Sequence, residues 1–308
     1  MTCINYFQLI GDVIKDNIQS IADEKHIGFE DAHKEVLKYL MDNSAQWKSG
    51  RKPEIHYEDP LCRIAYLYGI VPVNANLIQY VFERCNELKE FMDNLQRENG
   101  RIDICAFGGG PGTELLGLAK WIEKRELGYT THLRFLMLDQ VNEWIDSQEA
   151  IQRQMESRFK SFYGKISDWP LNVSKTSCPI DITSLEKFAN LGAIFGQDIY
   201  IFSYVISEIF NSASYLRKFT TKIAEKAPRG SIFVFIERRE ARWIDEIRLL
   251  TKDAGINISE PKYTKDSMDT DEEKTDIGRI YLELKKIHGR KYDPRITWDA
   301  FYMIGTKY

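Results

Sequence analysis

The stretch RIDICAFGGGPGTE, Arg101–Glu114, decides the fold of this chain of 308 residues. Its apolar run Ile102–Phe107 predicts a buried strand, and four glycines among the next five residues predict a tight turn. Thr113 and Glu114 then open a helical pattern of leucines. Glycines let the main chain approach a ligand closely, and a helix N-terminus adds unpaired N–H groups. The stretch therefore predicts a nucleotide-binding turn.

The spacing of the glycines restricts the kind of nucleotide site. A phosphate-binding loop is excluded because no lysine follows Gly112, and the dinucleotide pattern GxGxxG fails because Thr113 stands at its third glycine. The pattern present is GxGxG, at Gly108, Gly110 and Gly112. With this pattern the chain resembles the class I S-adenosylmethionine (SAM)-dependent methyltransferases, although Ala106 stands where that family has an acid.

Alternating strand and helix patterns run from Arg101 to the last residues. They predict an α/β fold with a doubly wound, mostly parallel sheet that is covered by helices on both faces. The segment Ile296–Lys307 alternates apolar and polar residues. By the resemblance, it is the antiparallel last strand of a seven-stranded, Rossmann-like methyltransferase sheet. The charged segment Ser259–Asp276 is expected to be a surface loop.

The region before the glycine turn reads as helices. Residues 1–98 are predicted to form a helical N-terminal cap for substrate recognition, with one long helix at Asn74–Leu95. Residues 99–308 are predicted to form the SAM-binding methyltransferase domain. The cap tyrosines expected to close over the ligands are Tyr57, Tyr66 and Tyr68.

Composition narrows the class of protein. Hydrophobic residues make up 43% and aromatic residues 12% of the chain, enough for a packed core. The formal net charge of −4 argues against a general nucleic-acid-binding surface. Five scattered cysteines without a CxxC pair indicate reduced thiols and neither a disulfide set nor a metal site. With no secretory signal and no apolar run of membrane-spanning length, we expect an intracellular protein, cytoplasmic or nuclear.

Ligands of doubly wound sheets bind beyond the carboxyl ends of the strands. By the resemblance, Asp139 after the second strand accepts the ribose hydroxyls; its alternative role is to cap a helix predicted from Val141. Asp181 and Ile182 after the third strand would contact the adenine, and the alternative for Asp181 is an ordinary turn acid. The residues predicted to bind SAM and its product S-adenosylhomocysteine are Phe107, Gly108, Gly109, Gly110, Pro111, Gly112, Asp139, Gln140, Asp181, Ile182, Ser203 and Tyr204.

The end of the fourth strand supplies the candidate catalytic residues. Tyr204 could cover the positive sulfonium with its ring, and Glu208 could bind an amine or act as a base. Ser207 lies between them and would also face the methyl acceptor. Strand packing for Tyr204 and surface capping for Glu208 are the alternatives. The fifth strand ends beside the same opening with Glu237, Arg238 and Arg239, which bind substrate or begin a solvated helix.

The methyl acceptor is left open as RNA, protein or small molecule. The chain lacks the Pro-Pro-aromatic motif of adenine amine methylation and the Pro-Cys of cytosine methylation, and a single glutamate, Glu208, fits the two-glutamate loop of arginine methylation. His56 is the one plausible histidine base, with a surface role as the alternative. The segments SYVISEI and FVFIER also resemble a group of mitochondrial ribosome-assembly methyltransferases, whose cysteine cluster is missing here.

Two other functions remain open. Ala106 and the lack of an obvious base favour a methyltransferase-fold binding or assembly protein without catalysis. A nicotinamide-dependent enzyme is the weaker alternative, because the third glycine of its fingerprint is missing.

Overall fold

The computed structural model describes residues 3–48, 55–182, 192–209, 213–268 and 294–308. Its helices are α1 (Tyr6–Lys25), α2 (Phe29–Lys48), α3 (Pro60–Gly69), α4 (Val71–Arg84), α5 (Asn86–Asn99), α6 (Thr113–Lys124), α7 (Trp144–Tyr163), α8 (Val205–Glu208), α9 (Ala213–Lys226) and α10 (Ala241–Asp253). Its strands are β1 (Ile102–Phe107), β2 (Thr131–Asp139), β3 (Leu171–Pro179), β4 (Ile199–Ser203), β5 (Ile232–Arg238), β6 (Ile256–Ile258), β7 (Lys262–Ser267) and β8 (Thr297–Lys307). The sequence pattern also predicts a helix at 184–191, which lies outside the described residues.

The described strands form one sheet. Their order is β3-β2-β1-β4-β5-β8, and both β6 and β7 pair with the far edge of β8. Strands β1 to β5 are parallel, whereas β8 is antiparallel to β5. The chain order reverses between β1 and β4, so the carboxyl ends of β1, β2 and β4 meet there. The predicted doubly wound, mostly parallel α/β sheet and its antiparallel last strand are confirmed.

Each face of the sheet has its own hydrophobic core. Along β1, Ile104 and Ala106 belong to one core, and Cys105 and Phe107 belong to the other. Successive side chains of a strand point to opposite faces, and a strand buried on both faces has no polar side. This is why β1 reads as a nearly continuous apolar run in the sequence.

The sheet contains eight strands where seven were expected. The extra strand is β7, which lies in the segment Ser259–Asp276 that was expected to be a surface loop; residues 269–276 of that segment lie outside the described ranges. β6 and β7 continue along the same edge of β8 and therefore occupy one position in the sheet. Between them lies Pro261, which has no N–H to donate and so interrupts the pairing.

The helix predicted at Asn74–Leu95 is two helices. α4 and α5 are separated by Cys85, whose backbone is extended, with φ −99° and ψ 101°. The apolar stripe continues across this break, which explains the error. Among the described residues, no single helix has the length and apolar composition of a membrane span; α3 and α4 together do, but they are bent by 50°.

The N-terminal helices share a core with one face of the sheet. Side chains of α1, α3 and α4 pack in the same cluster as those of α6 and β1. The chain before α1 is held by the buried carboxylate of Glu123 in α6, which accepts the N–H groups of Cys3 at 2.6 Å and Ile4 at 3.1 Å. The division of the chain at residues 98 and 99 stays a prediction.

At Gly117, α6 lies in close contact with α4. A Cβ atom added to Gly117 would lie 2.4 Å from the carbonyl oxygen of Ala75 in α4 and 2.8 Å from Cβ of Ile78. Because a backbone carbonyl cannot give way as a flexible side chain can, only glycine allows the two helices to touch here.

We expect Gly117→Ala to destabilise the protein by about 1–3 kcal/mol, because the added methyl group forces α4 away from α6. The free energy of unfolding in urea measures the effect. Gly196→Ala is the matched control, since nothing lies within 4 Å of a Cβ at Gly196. Equal stabilities of the two variants would contradict the close helix contact.

Candidate functional site

The glycine turn joins the carboxyl end of β1 to α6. Gly110 and Gly112 have φ angles of 43° and 90°, a region that favours glycine. The turn is closed by the N–H of Gly112, which donates to the carbonyl of Gly109 at 2.8 Å. Gly112 is also the N-cap of α6 and provides no side-chain cap for the first N–H groups of the helix. The predicted strand, turn and helix N-terminus are confirmed.

Asp139 ties the end of β2 to this turn. Its Oδ2 accepts the N–H of Gly110 at 3.0 Å, and its Oδ1 accepts the N–H of Val141 at 3.0 Å. The helix predicted from Val141 begins three residues later, at Trp144, with Glu143 as its N-cap. Asp139 therefore stabilises a turn and does not cap α7. Burial raises the pKa of Asp139, and the backbone N–H groups that it accepts oppose this shift.

The other predicted cofactor residues border this turn. The N–H of Ile180 donates to the carbonyl of Asp139 at 2.6 Å, so the chain after β3 is fixed to the chain after β2. Next to these two positions, Ile182 is buried, Asp181 is half-buried and Gln140 is exposed. Phe107, at the end of β1, stacks on Phe202 of β4 with ring centroids 4.4 Å apart. Phe107 thus supports the turn from the sheet core.

Two residues of α7 contact the turn and were missed in the sequence. Gln148 donates from Nε2 to the carbonyl of Gly110 at 2.6 Å and accepts a hydrogen bond from Ser177 of β3. The indole of Trp144 lies 3.9 Å from where a Cβ of Gly110 would be. Their spacing of four residues places both on one face of the helix. The four-residue spacing of Trp144 and Gln148, shortly after Asp139, is the sequence signal that could have identified them.

An aromatic cluster joins the helical region to this turn. It consists of Tyr57, Tyr66 and Trp144, with ring centroids 5.2 Å apart for Tyr57 and Trp144, 5.5 Å for Tyr66 and Trp144, and 5.6 Å for the two tyrosines. Tyr68, the third tyrosine predicted over the ligand, lies in the core with 2% of its surface exposed. Tyr68 belongs to the same hydrophobic core as side chains of α1 and the sheet, and its place over a ligand stays a prediction.

The end of β4 turns sharply at Tyr204. The apolar run Asp198–Val205 predicts a strand that reaches Val205. The strand ends instead at the half-buried Ser203, because Tyr204 has a φ of 60°, which is uncommon for a bulky residue. The N–H of Tyr204 donates to the carbonyl of Ile236 at 2.9 Å. Burial raises the pKa of Tyr204 to about 12, and the positive charges of Arg295 and Arg238 lower it. The negative charge of Glu237 acts in the opposite direction to the two arginines and raises this pKa.

Ser207 is held in place by hydrogen bonds to Glu237. Its N–H donates to Oε2 of Glu237 at 2.7 Å, and its Oγ lies 2.9 Å from Oε1. Glu237 has 1% of its surface exposed. Burial raises the pKa of Glu237 to about 7, and its hydrogen bonds from Ser207 oppose the shift. Glu237 therefore does not begin a solvated helix but supports the short helix α8, which ends at the exposed Glu208.

A third carboxyl near the turn was not singled out in the sequence. Glu114, in the first turn of α6, has 4% of its surface exposed, and its Oε2 has no hydrogen-bond partner in the described part of the chain. Burial raises the pKa of Glu114 to about 8, and the charges of Asp139 and Glu208 add to the shift. The same three carboxyls raise the pKa of Tyr66, although burial is the larger cause. Glu114, Asp139 and Glu208 are therefore near enough to Tyr66 for their charges to act on it.

Other candidates lie outside this group. His56, the one plausible histidine base, is exposed on the surface. Among the residues that the structure describes, no group of three His, Cys, Asp or Glu side chains could hold a metal ion.

We expect Glu114→Gln to stabilise the ligand-free protein as pH rises, because a buried carboxyl without a partner resists ionisation. The folded pKa of about 8 lies above the ordinary 4.5. The wild-type protein therefore loses up to ~1.4 kcal/mol of stability for each pH unit between these two values, and the variant does not. Urea unfolding at a series of pH values measures the difference.

The control for this comparison is Glu90→Gln, which changes an exposed carboxyl of α5. It should follow the wild-type pH profile. Parallel profiles for the wild type and Glu114→Gln would show that Glu114 ionises normally and would contradict its buried, unpartnered state.

Comparisons with known proteins add likenesses of structure. No model of a known protein family matches the chain, and no curated protein matches it in sequence. An O-methyltransferase family protein from Burkholderia thailandensis is 10% identical over 89% of this chain and 72% of its own, with a TM-score of 0.46. A SAM-dependent methyltransferase from Methanosarcina mazei is 11% identical over 67% of this chain and 92% of its own, with a TM-score of 0.39. At these identities and TM-scores, what the neighbours do is not carried over to this chain.

Proposed function

We propose that the chain is a class I SAM-dependent methyltransferase. The observation that carries the proposal is the hydrogen bond of Asp139 to the glycine turn, at the edge of the sheet where the strand order reverses. This hydrogen bond joins a turn that a ligand can approach closely to a carboxylate, at the position where a nucleoside is expected to bind. The buried, unpartnered carboxyl of Glu114 beside them supports a ligand that supplies the missing partner.

The charge of the site favours SAM over a dinucleotide. SAM carries a sulfonium and an ammonium group, whereas the pyrophosphate of a nicotinamide dinucleotide is negative. Asp139 and Glu208 would attract the first and repel the second, and Glu114 would add to this effect once it ionises. The antiparallel β8 and the missing third glycine also count against a nicotinamide-dependent enzyme.

The residues that would hold the cofactor lie at the carboxyl ends of the parallel strands. Asp139 would accept the ribose hydroxyls through the lone pairs left by its two backbone hydrogen bonds, and Asp181 with Ile182 would border the adenine. The main chain of Gly108–Gly112 would lie along the amino-acid part. The ring of Tyr204 would cover the sulfonium.

When bound, SAM supplies an electrophilic methyl group that a nucleophile displaces in line. The chain's own part is then to position the acceptor and to take its proton. Glu208 is the candidate proton acceptor, because it is exposed at the end of α8 beside Tyr204. Ser207, held by Glu237, would keep α8 in place, and the aromatic cluster would limit which acceptors enter.

The methyl acceptor stays open among RNA, protein and small molecules. The intracellular location also stays an expectation. A methyltransferase-fold binding or assembly protein without catalysis is the second candidate. It is favoured by the exposed position of His56, which leaves the described residues of the site without a histidine base. The two candidates share the cofactor site and differ in whether a methyl group leaves it.

Titration calorimetry of the purified protein with SAM, S-adenosylhomocysteine and NAD tests the proposal. We expect binding of the first two ligands and none of NAD. Binding of NAD alone would overturn the proposal, and so would the absence of binding by either methyl-donor form. Release of S-adenosylhomocysteine in the presence of candidate acceptors then separates an enzyme from a binding protein.

We expect Asp139→Ala to weaken S-adenosylhomocysteine binding by roughly 1.5–3 kcal/mol, because the ribose hydroxyls lose a charged acceptor. Calorimetry measures the loss, and urea unfolding shows whether the freed N–H of Gly110 also costs stability. Asp245→Ala, at an exposed position of α10, is the control and should bind as the wild type does. Unchanged affinity in Asp139→Ala would remove Asp139 from the cofactor site.

A further inference from the structure

We propose that Glu114 binds the ammonium group of the cofactor's amino-acid part. This inference rests on the proposed function and assigns one contact within it. Glu114 follows the glycine turn directly and lies in the first turn of α6. Its place in the sequence gives it an ordinary role as a first-turn acid, which favours a helix N-terminus electrostatically.

The burial of Glu114 is not explained by that ordinary role. A first-turn acid normally stays in water, whereas Glu114 has 4% of its surface exposed. Its Oε2 has no hydrogen-bond partner among the described residues. Buried carboxyls are stable only when they are paired or hydrogen-bonded, so an orphaned oxygen beside a nucleotide turn indicates a partner that arrives with the ligand.

The groups that face Glu114 determine the charge of that partner. They are Asp139 from the end of β2, Glu208 from α8 and the phenol of Tyr66 from α3. Asp139 and Glu208 are carboxyls, and the charge of each makes ionisation of Glu114 harder. A cation relieves this repulsion, whereas an anion adds to it. An ammonium group, with three N–H donors and no acceptor, fits a carboxyl oxygen that lacks a donor.

The other two carboxyls are less suited to this contact. Asp139 already accepts a backbone N–H with each oxygen. Glu208 is exposed, so water competes for it. Glu114 is the carboxyl of the three that is both buried and short of a donor, and the energy of a new charge-assisted hydrogen bond is therefore greatest there.

Calorimetric titration with two ligands tests this contact. The ligands are S-adenosylhomocysteine and its deaminated analogue, in which hydrogen replaces the amino group. We expect the wild-type protein to prefer the first by about 10- to 100-fold, the range of a hydrogen bond to a charged group. In Glu114→Gln this preference should largely disappear, while the affinity for the deaminated analogue stays unchanged. Glu90→Gln is the control and should keep the full preference.

Proton release gives a second measurement that a structural role would not change. At neutral pH the carboxyl of Glu114 is largely protonated, because its pKa is about 8. An arriving ammonium group ionises it, so binding of S-adenosylhomocysteine releases a proton. Titrations in two buffers with different ionisation enthalpies should detect this release in the wild type and a smaller one in Glu114→Gln. Comparing the two proteins removes the contributions of Asp139 and Glu208.

Two results would overturn the inference alone. Glu114→Gln could keep the preference for the amino group, which would place the ammonium elsewhere. It could also weaken both ligands equally, which would make Glu114 structural. Failure of both ligands to bind the wild-type protein would instead overturn the proposed function itself.

Discussion

The hydrogen bond from the N–H of Gly110 to the carboxylate of Asp139 holds the site together. It joins the turn after β1 to the end of β2, and the bond from Ile180 to the carbonyl of Asp139 adds the end of β3. Gln148 of α7 fixes the carbonyl of Gly110 from the other side. Both polar groups of the Gly110 main chain are thus satisfied by neighbours, and these hydrogen bonds restrain the glycine turn.

The helices that border the site are positioned by their packing in the hydrophobic core. α4 can approach α6 because Gly117 has no side chain, and α3 follows α4 in the same core. Tyr66 of α3 is thereby placed against Trp144 and near enough to Glu114 and Asp139 for their charges to raise its pKa. A shift of these helices would change the site without changing any residue in it. This physical link is how a helical region outside the sheet would take part in the proposed ligand selection.

The sequence predicted those features that local patterns encode. Alternating apolar runs indicated the parallel sheet, and the glycine spacing located the turn, whereas the proposed role of Tyr204 stays a prediction. Contacts between distant segments could not be predicted in this way. The burial of Glu114, the support of Ser207 by Glu237 and the approach of Trp144 depend on tertiary packing, which no local pattern encodes. Edge pairing of β7 was also missed, because a short polar strand looks like a loop.

The most direct test of this account is a crystal structure of the protein with S-adenosylhomocysteine. The account predicts both ribose hydroxyls on the carboxylate of Asp139, with the amino-acid part along the main chain of Gly108–Gly112. A ligand bound with its ribose away from Asp139, or at another edge of the sheet, would contradict it. In that case the glycine turn and its carboxylate would serve the stability of the sheet and not the binding of a nucleoside.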